Sequence, residues 1–160
     1  MTDAGPAADW IEIQLDATVT QWVPAFDQLR GWAAELFRGE ALEAAWGALT
    51  LRIVDEPEMT TLNGRYRGQP RPTNVLAFPA ALPAEFELAV LGDVILCAPV
   101  IAREALEQGK PEAAHWAHMV VHGTLHLLGF DHEEADQARV MEALETAVLA
   151  QLGYPNPYCC

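Results

Sequence analysis

The chain is expected to fold as a single α+β domain, a four-stranded mixed sheet covered by about five helices, with a histidine-bearing helix buried at its centre. Three observations predict this. Stretches alternating between apolar and polar residues, the pattern of half-buried strands, all precede Ala98. From Ala98 onward the apolar spacing becomes helical. The chain also has 160 residues, 51% of them hydrophobic, enough for one core, and no internal repeat or linker divides it. The domain is expected over 11–158, with residues 1–10 as a flexible N-terminal tail.

Residues 11–17, Ile-Glu-Ile-Gln-Leu-Asp-Ala, read as the first strand. Pro24 suits the opening turn of a helix whose inward face is Phe26, Leu29, Trp32, Ala33 and Leu36. Residues 48–54 alternate again and give a second strand, and a short helix is predicted near 57–64. Asn74 to Phe78, bounded by Pro72 and Pro79, forms the third strand. Residues 87–97 form the fourth, with Gly92 marking a bulge or bend. A helix over 98–108 is separated by Gly109-Lys110-Pro111 from another over 111–128. Pro111 at its first turn and Gly129 just past its end are both boundary signals. From Trp116 to Leu128 this helix is apolar nearly all round, so it belongs at the centre. The last helix, 134–151, points Ala138, Met141, Leu144, Val148 and Leu152 inward, and Asp131 with Glu134 resembles a capping pair at its start.

Bulk properties narrow the function. No apolar run approaches the roughly 20 residues that cross a membrane. The acidic N-terminus lacks the basic region of a signal peptide, which points to the cytoplasm. Cys97 ends an apolar run while Cys159 and Cys160 adjoin each other, so no disulfide framework is expected. The net charge of −14 opposes long-range steering of a nucleic acid. Yet Arg65, Arg67 and Arg71 cluster in a local basic segment that can grip phosphate.

The chemistry concentrates in His122-Gly-Thr-Leu-His126-Leu-Leu-Gly129-Phe-Asp131-His132. Imidazoles four residues apart on a helix share a face and can reach one ion. Gly129 supplies the left-handed residue that turns the chain, and His132 swings in as a third ligand. Three imidazoles leave the fourth tetrahedral position open, as catalytic sites do. Zinc suits this set best, although nickel, copper, iron and cobalt also accept imidazole. His115 and His118 share the helix face but lie too far from His132's turn, so His115 reads as a core histidine. His118 reads as a packed ring or one bonding behind the ligands. Asp131 either orients a ligand imidazole or caps the last helix. The spacing matches metzincin proteases, but those carry Glu after the first His, where this chain has Gly123. Peptide hydrolysis is therefore disfavoured.

The histidine block resembles the signature of the YbeY endoribonucleases, bacterial metal-dependent rRNA maturation factors. A second block agrees: Leu62-Asn63-Gly-Arg65-Tyr66-Arg67 followed by Pro72-Thr73-Asn74-Val75-Leu76-Ala77-Phe78-Pro79. Leu91-Gly92-Asp93-Val94 and Leu152-Gly153-Tyr154 fit as well. Ala77 stands where the family usually has Ser, and Phe130 where it usually has Tyr. The resemblance implies a single-strand-specific endoribonuclease that matures the 3′ end of small-subunit rRNA and serves ribosome quality control. It implies zinc on His122, His126 and His132 and a catalytic Arg67; the local basic cluster itself offers Arg65 and Arg71 as further phosphate contacts. The implied partners are single-stranded rRNA and the small ribosomal subunit, not DNA or a membrane, and the acidic surface adds a basic ribosomal protein. The competing reading is a ribosome-assembly or scaffolding factor whose metal is structural. A metallohydrolase acting on another substrate is the third.

Overall fold

The computed structural model describes residues 10–38, 42, 47–80 and 90–158. The chain order is β1 (Ile11–Leu15), α1 (Phe26–Glu35), β2 (Ala48–Val54), α2 (Glu56–Arg67), β3 (Val75–Pro79), β4 (Val90–Cys97), α3 (Ala98–Gln108), α4 (Glu112–Leu127) and α5 (Ala135–Gln151). The sheet order is β1-β2-β4-β3. β1 and β2 are parallel, β2 and β4 are parallel, and β3 runs antiparallel on β4. The expected mixed four-stranded sheet and five helices are therefore all present.

Alternation along β4 divides the interior in two. Val94 and Leu96 enter the larger core, with Leu29 and Trp32 of α1, Trp116 and Val120 of α4, and Met141 of α5. Ile95 and Cys97 point the other way, into a smaller core with Met59 of α2, Leu76 of β3 and Val100 of α3. Both faces of the sheet are thus covered, and each fully buried large side chain contributes about 1.5–3 kcal/mol. Burial also pushes the Cys97 thiol up to about 11, which keeps it protonated and inert.

Gly92 is the expected bulge. The β2–β4 register slips there, Ala48 pairing with Val90 and Leu49 with Gly92. Its φ is +134°, and a Cβ would lie 2.2 Å from the Phe78 carbonyl oxygen, so only glycine lets β3 approach.

Several boundaries differ from expectation. Pro24 precedes the α1 cap, Ala25, and Phe26 is 39% exposed instead of inward, because the buried stripe begins only at Leu29. α2 runs a turn beyond Gly64. Asp55 caps it through its bond to the Glu56 amide, and at Gly64 the helix packs so closely on Pro70 that a Cβ would sit 3.3 Å from its Cα. Arg65 and Arg67 therefore ride the last helical turn, not a loop. Pro111 caps α4 instead of opening its first turn. No capping pair forms at α5: its cap, Glu134, makes no side-chain cap bond, and Asp131 accepts from the His132 amide at 2.7 Å. The expected 87–89 end of the fourth strand, residues 1–9, Cys159 and Cys160 lie outside the described residues.

Candidate metal centre

α4 lies on the larger-core face of the sheet, and Gly123 lets it lie close. A Cβ there would come within 2.6 Å of Val94 Cγ1 and 3.0 Å of Val75 Cγ2. The position where a metzincin holds its glutamate is thus filled by sheet side chains. Along α4, His115, His118, His122 and His126 form a ladder, with consecutive ring centroids 6.2, 6.0 and 4.8 Å apart.

The end of α4 brings the third histidine round. Gly129 has φ +97°, its amide donates to the His126 carbonyl at 3.0 Å, and the Phe130 amide donates to the Leu125 carbonyl at 3.1 Å. That pair of bonds is a Schellman turn, which reverses the chain at a left-handed glycine. Phe130 then packs against the larger core, and the Asp131 carboxylate holds the His132 amide. His132 consequently stands with its ring centroid 5.6 Å from that of His122 and 5.1 Å from that of His126.

Potential ligand nitrogens of His122, His126 and His132 all lie within 4.8 Å of one another. Bonds of ~2.1 Å in a tetrahedral shell put nitrogens about 3.4 Å apart, so modest ring rotations converge them on one ion. Burial lowers the His126 pKa to about 4, assisted by His122 and His132, so its lone pair is available at neutral pH.

His122 is oriented from behind. Glu145 of α5, fully buried, meets its Nδ1 through Oε2 at 2.6 Å, which leaves Nε2 for the cluster. Oε1 of the same carboxylate meets His118 Nε2 at 3.0 Å and accepts from the Tyr158 hydroxyl. Burial pushes the Glu145 pKa up, but bonds from His118 and His122 outweigh it and bring it down to about 2. His118, His122 and Glu145 also lie close enough to form a possible ligand set, yet these separations are those of direct hydrogen bonds. Burial lowers the His118 pKa, so that ring is a neutral donor bonding behind His122. His115 pairs likewise with Glu104 at 2.8 Å, and Glu104 also accepts from Asn74 Nδ2 at 3.1 Å.

A cleft of about 540 Å³ opens over the cluster. One wall is Arg67, Thr73, Asn74, Val75 and Ala77, and the other holds the three histidines, Gly123, Asp131 and Glu133. Asn63 anchors the first wall, its Nδ2 donating to the Arg71 carbonyl at 2.9 Å. Arg67 is exposed and, among the described residues, forms no ion pair. Arg65 lies outside the lining, and Arg71 donates to Gln69 Oε1 at 2.8 Å.

Sequence reasoning missed Glu145, Glu104 and Tyr158. A signal for Glu145 existed, since it falls four residues after Met141 and three before Val148, on the inward stripe of α5. Reading Leu144 as the inward residue concealed it; Leu144 is only partly buried.

Fold and site together define an α+β protein with an open three-histidine cluster facing an arginine across a polar cleft. A family model described as Endoribonuclease YbeY matches residues 14–153, nearly the whole described domain. A protein of Halorhodospira halophila named Endoribonuclease YbeY is 54% identical over 138 residues, covering 84% of this chain and 88% of that relative. The solution structure of TM1509 from Thermotoga maritima superposes with a TM-score of 0.53 at 25% identity, covering 94% of this chain and 99% of that one. The chain belongs to the YbeY endoribonuclease family.

Proposed function

We propose that this protein is a zinc-dependent, single-strand-specific endoribonuclease that matures the 3′ end of small-subunit rRNA and acts late in ribosome quality control. The observation that carries the reading is the convergence of His122, His126 and His132 across one cleft from Arg67, which forms no ion pair among the described residues. Three imidazoles with an open face suit one zinc ion per chain. Such an ion supplies Lewis acidity toward a phosphoryl oxygen and acidifies water.

The remaining work falls to the chain itself. Arg67 binds the scissile phosphate and stabilises the charge that gathers on it during cleavage. Arg65 and Arg71, outside the cleft lining, add attraction for flanking phosphates. Glu145 and His118 hold His122 in the tautomer that faces the cluster, and Asp131 fixes the His132 backbone. Gly123 leaves no carboxylate at the position after the first histidine, where metzincin proteases hold their general base. Among the described residues no helix is long and apolar enough to cross a membrane, which accords with work in the cytoplasm on the small subunit.

The test is cleavage of a single-stranded RNA by purified protein. Arg67→Glu and His126→Ala each abolish cutting, and only the histidine variant loses zinc. Undiminished cutting by both variants would remove the proposal. The net charge of −14 favours a second reading, an assembly factor docking on a basic ribosomal protein with a structural metal. On that reading both variants bind ribosomal particles in proportion to their folded fraction, and wild-type protein cuts nothing.

A further inference from the structure

His122 and His132 border two clefts. The larger leads to Arg67. The smaller, of about 290 Å³, is bounded by His122, His132, Ala138, Met141, Glu142 and Tyr158. The histidine cluster therefore opens on both sides, and the two openings differ in chemistry. The larger offers a guanidinium. Among the described residues the smaller has no arginine or lysine in its wall and carries the Glu142 carboxylate, so it repels phosphate. Its remaining surface is aliphatic and aromatic, the lining for an uncharged planar group.

The aromatic wall is held in place. Tyr158 is 46% exposed, yet its hydroxyl donates to Glu145 and its amide donates to Asn156 Oδ1 at 2.8 Å. Its ring also packs edge-on against His118, with centroids 5.4 Å apart at 86°. A ring fixed by such partners and still open to solvent is a preorganised stacking surface, since little side-chain freedom remains to be lost on binding. Tyr158 lies beyond the 14–153 stretch that the family model matches.

Resting on the endoribonuclease reading above, we propose that this smaller cleft is a nucleobase subsite. Tyr158 stacks on the base of a nucleotide adjoining the scissile phosphate, Ala138 supplies the apolar wall, and Glu142 accepts from a base N–H. The strand then crosses the cluster from the arginine cleft to the tyrosine cleft. An enzyme that cuts within a chain needs room for RNA on both sides of the broken bond, and these two clefts provide it.

The experiment is a scan of one abasic ribonucleotide along a single-stranded RNA, with KM, kcat and bound zinc measured for wild type, Tyr158→Phe, Tyr158→Leu and Ala138→Leu. In wild type, removing one base next to the cut raises KM by about one order of magnitude, as base–aromatic stacking implies. Tyr158→Phe keeps that penalty, because the ring remains. Tyr158→Leu raises KM for the intact strand by a similar factor and shows no further abasic penalty. Ala138→Leu, which narrows the cleft from α5, does the same without touching the tyrosine. A flat abasic scan in wild type, or an undiminished penalty in both leucine variants, would overturn the subsite while leaving RNA cleavage established. Wild-type protein that neither binds nor cuts RNA would overturn the endoribonuclease reading itself, and the subsite with it.

Discussion

Oε2 of Glu145 lies 2.6 Å from Nδ1 of His122, joining the middle of α5 to the middle of α4 inside the core. A carboxylate in that position fixes the imidazole tautomer and makes the opposite nitrogen a better donor to a metal. Glu145→Gln should weaken zinc binding by about 10–100-fold, the usual effect of losing such a partner. A chelator-competition titration measures it. An unchanged zinc affinity would mean that Glu145 serves packing alone.

Zinc removal should lower the melting temperature as well as activity. His122 and His126 come from α4 but His132 from the following turn, so an ion ties the two together in the folded state only. At free metal 100 times the dissociation constant, that linkage is worth ~2.7 kcal/mol. Differential scanning calorimetry with and without chelator checks this, and added zinc should restore both properties.

Gly123→Ala should destabilise the fold. The new methyl would meet Val94 Cγ1 at 2.6 Å, and overpacking of this kind costs about 1–3 kcal/mol. For a chain of this size the melting temperature falls by roughly 2–4 °C per kcal/mol. Gly123→Glu, which completes the metzincin motif, should destabilise further and yield no peptidase on a peptide panel.

Glu104 gives a pH-dependent test. Burial raises its pKa, but bonds from His115 and Asn74 prevail and the folded value lies below the ordinary 4.5. A depressed carboxylate stabilises the fold above that ordinary value, and the contribution is lost as pH falls through the folded value. Glu104→Gln should therefore cost about 1–3 kcal/mol at neutral pH, and the gap to wild type should close below pH 4.5. Urea unfolding at a series of pH values measures this, and a gap independent of pH would contradict it.

The cluster of three histidines was legible because its information is local. Spacing on one helix places His122 and His126, and one glycine returns the chain so that His132 joins them. The strands were legible for the same reason, since period-two alternation needs no knowledge of partners. The supports of the cluster were not. Glu145 and Glu104 find their histidines 23 and 11 residues away, across helix–helix contacts that no local pattern encodes. Phe26 misled because helical phase alone cannot tell the rim of an apolar stripe from its centre. The extra turn of α2 was hidden by Gly64, which reads as a breaker in sequence but serves as a contact point for Pro70.

The bracing of His122 by a later helix has a bearing on biosynthesis. A polypeptide leaving the ribosome amino end first exposes both α4 histidines before Glu145 and Tyr158 have been made. Until then nothing steadies the metal-facing tautomer of His122, and the tyrosine cleft lacks its outer wall. On the proposed reading, the metal-facing state of His122 is therefore set only when α5 docks on α4.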